Sequence, residues 1–227
     1  MSITVNNQFW NNVEETLSNY EPSAPIVING KRLAERAEDY RNEKFSACLR
    51  PHQFAQEFFT TPPEQVLDLG SGMGANTRPM ARNGAHVTAI DNSKKLLKIY
   101  SQLSVSDGCP KGNIRLRFGD ITKMESYGEN FDLVLAVDIL PYVPSKDLRS
   151  TMEKIHRCLA DKGSLIGTIF TTNISKITVR TLMSKMGANY YEGGEMFAVQ
   201  LLEESGFSVE KLEERELGAY EFKAVKN

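Results

Sequence analysis

The chain has 227 residues, of which 41% are hydrophobic and 25% charged, and its formal net charge is −2. That length suits one α/β domain with an added cover, and it buries enough surface to hold together without disulfide or metal staples. A slightly acidic balance lacks the basic surplus of a nucleic-acid binder, so no nucleic-acid partner is expected. The richest basic stretch, Lys31 to Arg50, is interleaved with Glu35, Glu38, Asp39 and Glu43 and reads as a mixed-charge helical surface. Cys48, Cys109 and Cys158 lie far apart with no Cys/His cluster, which argues against a metal site and fits a reducing compartment. The opening residues lack the basic and apolar regions of a signal peptide. No apolar run reaches the roughly 18 residues of a membrane span, so the expectation is a cytoplasmic protein without membrane contact.

Taken in order, residues 1 to about 60 are polar and mostly helical in pattern, with a turn at Glu21-Pro22-Ser23-Ala24-Pro25. A helical stretch is predicted over Lys31 to Phe59, broken at Arg50-Pro51 because proline disfavours helix at the residue before it. These residues read as an N-terminal helical extension or lid, ahead of a domain covering 61–227. From Gln65 the pattern alternates. Strands are predicted at Val66–Leu69, His86–Ile90, Ile114–Phe118, Phe131–Val137 and Gly163–Phe170. Helices are predicted at Asn76–Asn83, Ser93–Leu103 and Lys146–Leu159. The nearly continuous apolar run at Phe131 is that of a strand covered on both faces. Such alternation predicts a doubly wound, mostly parallel α/β sheet. Thr171 to Gly194 is too long for a plain connection; it reads as a lid-like insertion with a helix at Ser175–Met186. A helix at Glu195–Ser205 and strands at Phe207–Glu213 and Tyr220–Val225 close the chain as a terminal hairpin.

The chemistry gathers at Val66-Leu67-Asp68-Leu69-Gly70-Ser71-Gly72-Met73-Gly74. Alternate glycines after a short strand permit the positive φ of a tight turn and clear Cβ atoms from a ligand's path. The helix behind offers unpaired N–H groups. Alone, this loop also fits the relaxed dinucleotide fingerprint. Asp91, twenty-one residues past Gly70, can accept from both ribose hydroxyls in either kind of site. Asp68, on the strand where a nicotinamide fold keeps an apolar residue, separates the two. So does Gly119-Asp120-Ile121, whose acid can accept from an exocyclic amine while the Ile121 N–H donates to a ring nitrogen.

Val66 to Gly74, Ala89 to Asn92, Gly119 to Ile121 and Phe131 to Val143 together resemble the four ordered motifs of the class I S-adenosylmethionine-dependent methyltransferases, of the broad small-molecule type. The resemblance covers about residues 64 to 226. It implies a seven-stranded Rossmann-like sheet whose last strand is inserted antiparallel. It implies S-adenosylmethionine as cofactor and S-adenosylhomocysteine as product. Gly70, Ser71, Gly72 and Gly74 would wrap the methionine portion, with Asp68 orienting the loop and the amino group. Asp91 would bind the ribose, Asn92 would lie against the adenine, and Asp120 and Ile121 would read its edge. Asp138 would lie near the transferable methyl. Where many relatives place His or Glu after the fourth motif's Leu, this chain has Pro141 followed by Tyr142, so a histidine base is absent there.

Because the donor is already activated, the protein's task is to orient a nucleophile and exclude water, which can supply roughly 7–11 kcal/mol of the barrier. Asp138 and Tyr142 are the catalytic candidates. Tyr190, Tyr191 and Glu192, with Tyr40 and Arg41, are the substrate-side candidates; packing half-buried or on a solvated helix face is the plainer role for each. His52, His86 and His156 read as structural. The acceptor is expected to be a small molecule or a protein side chain. Two other classes stay open at this point: a binding or regulatory module that keeps the ligand without turnover, and a nicotinamide-dependent oxidoreductase.

Overall fold

The computed structural model describes residues 26–28, 31–34, 51–172, 188–215 and 219–227. The chain divides between Arg50 and Pro51 into two units. In the first, β1 (Ile26–Ile28) and β2 (Lys31–Ala34) form an antiparallel pair, with Ile28 opposite Lys31. This corrects the helix expected from Lys31. The signal overlooked is Asn29-Gly30 between two short runs, a strong short-range mark of a hairpin. Tyr40, Arg41 and the rest of that predicted helix before Pro51 lie outside the described residues, as does the helix expected at Ser175–Met186.

The second unit opens on a 3-10 helix, Gln53–Phe58, where a longer helix was expected. Its polar side chains meet the far edge of the sheet. Gln53 donates to Glu213 at 2.7 Å, and Glu57 takes Lys223 at 2.6 Å and Lys211 at 3.3 Å. The sheet follows. Its strands are β3 (Gln65–Leu69), β4 (His86–Asp91), β5 (Ile114–Phe118), β6 (Phe131–Ala136), β7 (Leu159–Thr172), β9 (Phe207–Glu214) and β10 (Ala219–Lys226), with the two-residue β8 (Tyr191–Glu192) pairing onto β7. The order is β5-β4-β3-β6-β7-β10-β9. The first five strands in that order run parallel; β10 is antiparallel to both β7 and β9. This is the expected doubly wound sheet with its terminal hairpin.

Apolar spacing explains the helices on its faces. On α2 (Lys94–Ser106) the buried positions Leu97, Tyr100 and Ser104 recur every three to four residues, and Ser93 caps the first turn by accepting from Leu96 N–H. On α3 (Ser145–Cys158) Leu148, Thr151, Met152, Ile155 and Cys158 do the same. One core joins α3 and α4 (Gly194–Glu204) to one face of the sheet; the other joins the 3-10 helix, α1 (Thr77–Arg82) and α2 to the opposite face.

The connections run outward from β3 to β4 and β5, then return to β6 on the other side of β3. The switch opens a crevice beyond the carboxyl ends of β3 and β6, where ligands of such sheets bind. Gly70–Gly74 leaves the first of these strand ends and Asp138 follows the second. Among the described residues no helix is long and apolar enough to cross a membrane, and no group of His, Cys, Asp and Glu could hold a metal ion.

Candidate active site

The loop after β3 is pinned before it turns. Gly70 and Ser71 N–H both donate to the Ile90 carbonyl on β4, at 2.8 and 3.1 Å. Gly70, Gly72 and Gly74 all take positive φ, at 67°, 54° and 74°. Their missing side chains face different things. A Cβ on Gly70 would lie 2.7 Å from Ile139, and one on Gly74 would run into the Tyr100 ring. A Cβ on Gly72 would meet nothing within 4 Å among the described residues. Of the three glycines expected to wrap a ligand, Gly72 alone turns its open face to free space; the other two let Ile139 and Tyr100 close against the backbone. Beside Gly72, the Ser71 hydroxyl is buried with no hydrogen-bond partner among the described residues. An open cradle next to an unmatched buried hydroxyl fits a polar ligand laid along this loop.

Two buried carboxylates lie beneath. Asp91 Oδ2 accepts from Gly72 N–H and Oδ1 from Ser93 N–H, each at 2.8 Å. The residue expected to hold a ribose therefore also fixes the tip of the glycine loop. Burial still pushes its carboxyl above the usual range, with these backbone donors opposing. Asp68 accepts from Thr77 Oγ1 at 2.7 Å, and Thr77 Oγ1 is 2.7 Å from Tyr100 Oη. Thr77 has one hydroxyl proton and directs it at Asp68, so Tyr100 is the donor to Thr77. Arg78 completes the frame: its Nε donates to Met73 O at 2.9 Å and its guanidinium is ion-paired with Asp107 at the end of α2. Sequence reasoning missed Thr77, Tyr100 and Arg78, which touch the loop from behind.

Burial raises Asp68 from 3.8 to about 7, with repulsion from Asp91 adding and the Thr77 hydrogen bond opposing. Between these values the folded chain keeps a proton that the unfolded chain has released, so stability is higher on the acid side and falls as pH rises from about 4 through about 7. Asp68→Asn, which cannot ionise, is therefore expected to gain on the wild type across that window. Thermal unfolding of both proteins between pH 4 and 8 checks this; a constant difference would remove the assignment.

The third motif sits beside Asp91, since Gly119 N–H donates to Asp91 O at 3.0 Å. Asp120 Oδ1 accepts from Thr122 N–H at 2.9 Å and Oγ1 at 2.7 Å, an Asx-type turn that holds the acid at the strand end. The far side of the turn is clamped. Tyr127 donates to Ile121 O at 2.8 Å, and Lys154 of α3 reaches the carbonyls of Ile121, Thr122 and Met124. Asn92 is exposed, at the start of the connection to α2.

At the fourth motif Asp138 takes φ 53°, a left-handed conformation that Asp adopts more readily than most residues. Water reaches it, yet protein crowds its carboxyl, and burial raises it above its usual range while the Thr168 hydroxyl and the Arg215 charge oppose. It therefore lines an open recess. Tyr142 follows in a 3-10 turn, Leu140–Tyr142, and is half-buried. The end of the insertion docks here: Asn189 N–H donates to Pro141 O at 2.6 Å, and its side chain reaches Val143 O at 2.7 Å. Tyr190 is half-buried with its ring 5.3 Å from Phe170, and Glu192 is exposed. Tyr191 departs from its expected substrate role. It is buried, stacks on Phe197 at 4.8 Å and sends its hydroxyl to Val143 O, because its place in β8 turns it into the core. His86 is exposed at the head of β4, and His156 packs edge-on against Phe207. His52 is buried: its backbone N–H donates to Asn76 Oδ1 at 2.7 Å, and its ring caps the 3-10 helix.

Residues 66–163 match a family model described as a methyltransferase domain. A ubiquinone biosynthesis O-methyltransferase of Paracidovorax citrulli is 32% identical over 57% of this chain and 51% of its own length. The corresponding protein of Aeromonas salmonicida is 28% identical over 56% and 50%. The chain thus spans about half the length of the curated relatives it matches. The magnesium protoporphyrin IX methyltransferase of Synechocystis, solved with bound SAH, shares the fold at a TM-score of 0.68 with 17% identity over 100% of both chains. A 1,6-didemethyltoxoflavin-N1-methyltransferase of Burkholderia thailandensis does so at 0.62, with 18% identity over 84% of this chain and 83% of its own.

Proposed function

We propose that this chain is a class I S-adenosylmethionine-dependent methyltransferase that transfers a methyl group to an oxygen, nitrogen or sulfur of a small organic molecule, a reading supported by its match to a methyltransferase domain over residues 66–163. The observation that carries the reading is Gly72: a left-handed glycine whose open face looks into free space beside the buried Ser71 hydroxyl, with its N–H held by Asp91. In this reading the Gly70–Gly74 loop and Asp68 hold the methionine portion, Asp91 the ribose, and Asn92, Asp120 and Ile121 the adenine. When bound, S-adenosylmethionine would supply a methyl activated on a sulfonium, with a neutral thioether as the leaving group. Asp138 lies on the acceptor side of the crevice, where its carboxyl can take a proton from an acceptor O–H or N–H. Tyr142 orients the acceptor next to it. The small-molecule acceptor is supported by the curated relatives, which are named as O-methyltransferases of ubiquinone biosynthesis.

Calorimetry with S-adenosylmethionine, S-adenosylhomocysteine and NAD tests the donor side. The first two are expected to bind and the third to leave no heat, because Asp68 and the antiparallel hairpin fit no dinucleotide site. Incubating the chain with a labelled methyl donor and a small-molecule extract tests turnover. Tight binding with no labelled product from any extract would favour a binding module instead.

The insertion at 171–194 is proposed as a cover for the acceptor side, since it leaves β7 and returns to Pro141 and Val143 beside Asp138. Hydrogen exchange is expected to slow across this segment when donor and acceptor bind. Protection confined to residues 66–138 would make it scaffold. The same measurement reads residues 1–60, whose lid role rests on the sequence.

A further inference from the structure

The acceptor side holds ionisable groups that the four motifs do not account for. Glu221 lies on β10 with its side chain wholly buried, and its Cα partner on β7 is Thr168, whose hydroxyl lies beside Asp138. Among the described residues, two side chains reach Glu221. His52 Nε2 is 3.4 Å from Oε1, and the Arg215 guanidinium is ion-paired with the same oxygen. His52 Nδ1 accepts from Phe54 N–H at 3.3 Å, so the ring proton sits on Nε2, which approaches Glu221 without a hydrogen bond to it. Burial, with the Arg215 charge, lowers His52 to about 4, so the ring is neutral near pH 7 and, among the described residues, Arg215 is the charge paired with the buried carboxylate. Arg215 is 45% exposed at its own side chain, and its charge is also felt by Asp138. Two carboxylates therefore compete for one guanidinium. The buried one holds it, because an unpaired charge there would cost far more than one in an open recess.

We propose that Glu221 and Arg215 are a positioning pair for the acceptor side: the buried carboxylate, backed by His52, keeps the guanidinium docked on β10 and leaves the Asp138 carboxyl free to receive the acceptor's proton. This rests on the methyl-transfer reading. As the acceptor bonds to the methyl carbon, its proton moves to an Asp138 oxygen and then to water through the open side of the recess. The groups facing Asp138 are Thr168 from β7 and Arg215 after β9, with Glu221 of β10 and His52 behind them. Were Arg215 released, it would pair with Asp138, and a carboxylate so paired is a poor base.

The test is a carboxyl-carbon NMR titration of Asp138 in the full chain, which needs neither methyl donor nor acceptor and so fails or succeeds apart from the methyltransferase reading. In Glu221→Gln the Asp138 titration is expected to fall by about one pH unit or more, the size of a new contact with a guanidinium. Adding Arg215→Met is expected to abolish most of that fall. An equal fall in both backgrounds would mean that Glu221 acts only through its own charge, and the pair would be overturned. Should Glu221→Gln not fold, Arg215→Met alone decides. The proposal expects a rise well under one unit; a rise of about one unit or more, the size of a lost direct partner, would show Arg215 already on Asp138 and overturn it.

Discussion

Gly72→Val is expected to lower S-adenosylmethionine affinity by about a hundredfold or more, some 2.7 kcal/mol, while the sheet still folds. Gly72 sits at φ 54°, where a β-branched residue is strained by about 1–3 kcal/mol. Among the described residues the new side chain would meet no atom within 4 Å at its Cβ, so none of them resists it sterically. It would fill the space assigned to the ligand and tilt the N–H now held by Asp91. Gly74→Ala makes the opposite case. Its Cβ would strike Tyr100, which is fully buried, so the damage falls on stability. Calorimetry and thermal melting on the two variants separate the effects. Wild-type affinity in a folded Gly72→Val protein would mean the loop is not the site.

Asp91→Ala is the second large effect. The carboxylate accepts one N–H from the loop and one from the start of the next connection, and each such bond to a charged acceptor is worth roughly 1.5–3 kcal/mol. Losing these together with the ribose contacts is expected to weaken S-adenosylmethionine by at least about tenfold, and toward a hundredfold once the loop tip is released. Asp91→Asn keeps one acceptor oxygen and is expected to fall between. Unchanged calorimetric affinity in folded Asp91→Ala would remove Asp91 from the ribose role.

The sheet was legible because its signals are local: apolar runs, glycine punctuation and helical spacing all lie within a dozen residues. The donor side was legible for the same reason, as Gly72, Asp91 and Asp120 each sit at the end of a readable strand. What lies behind them was not. Thr77, Tyr100 and Lys154 look like ordinary helix residues until the fold brings them to Asp68 and Ile121. Asp120-x-Thr122 was readable in principle, because its bond closes within three residues. Tyr191 misled because its identity suits a binding site while its burial depends on a two-residue strand that no pattern announces. The Asn29-Gly30 signal lay in the sequence and was overlooked beside the mixed charge pattern that follows it. Glu221 and His52 meet across 169 positions, a pairing that no sequence window holds.

The inserted last strand also sets an order of assembly. Strands β3 to β7 can pair as they leave the ribosome, at roughly 5–20 residues per second, but β10 fills an inner place and reaches it only after β9 is made. Until then β7 is an open parallel edge, a template for pairing with another chain. The glycine loop, Asp91 and Asp120 have their neighbours from β3 to β6 before that moment. Asp138 gains the company of Glu221 and Arg215 only after it. A nascent chain of this kind becomes competent for its nucleoside-bearing ligand first and for its second substrate last, so a small ligand that binds early can act as a folding template while the hairpin is still being synthesised.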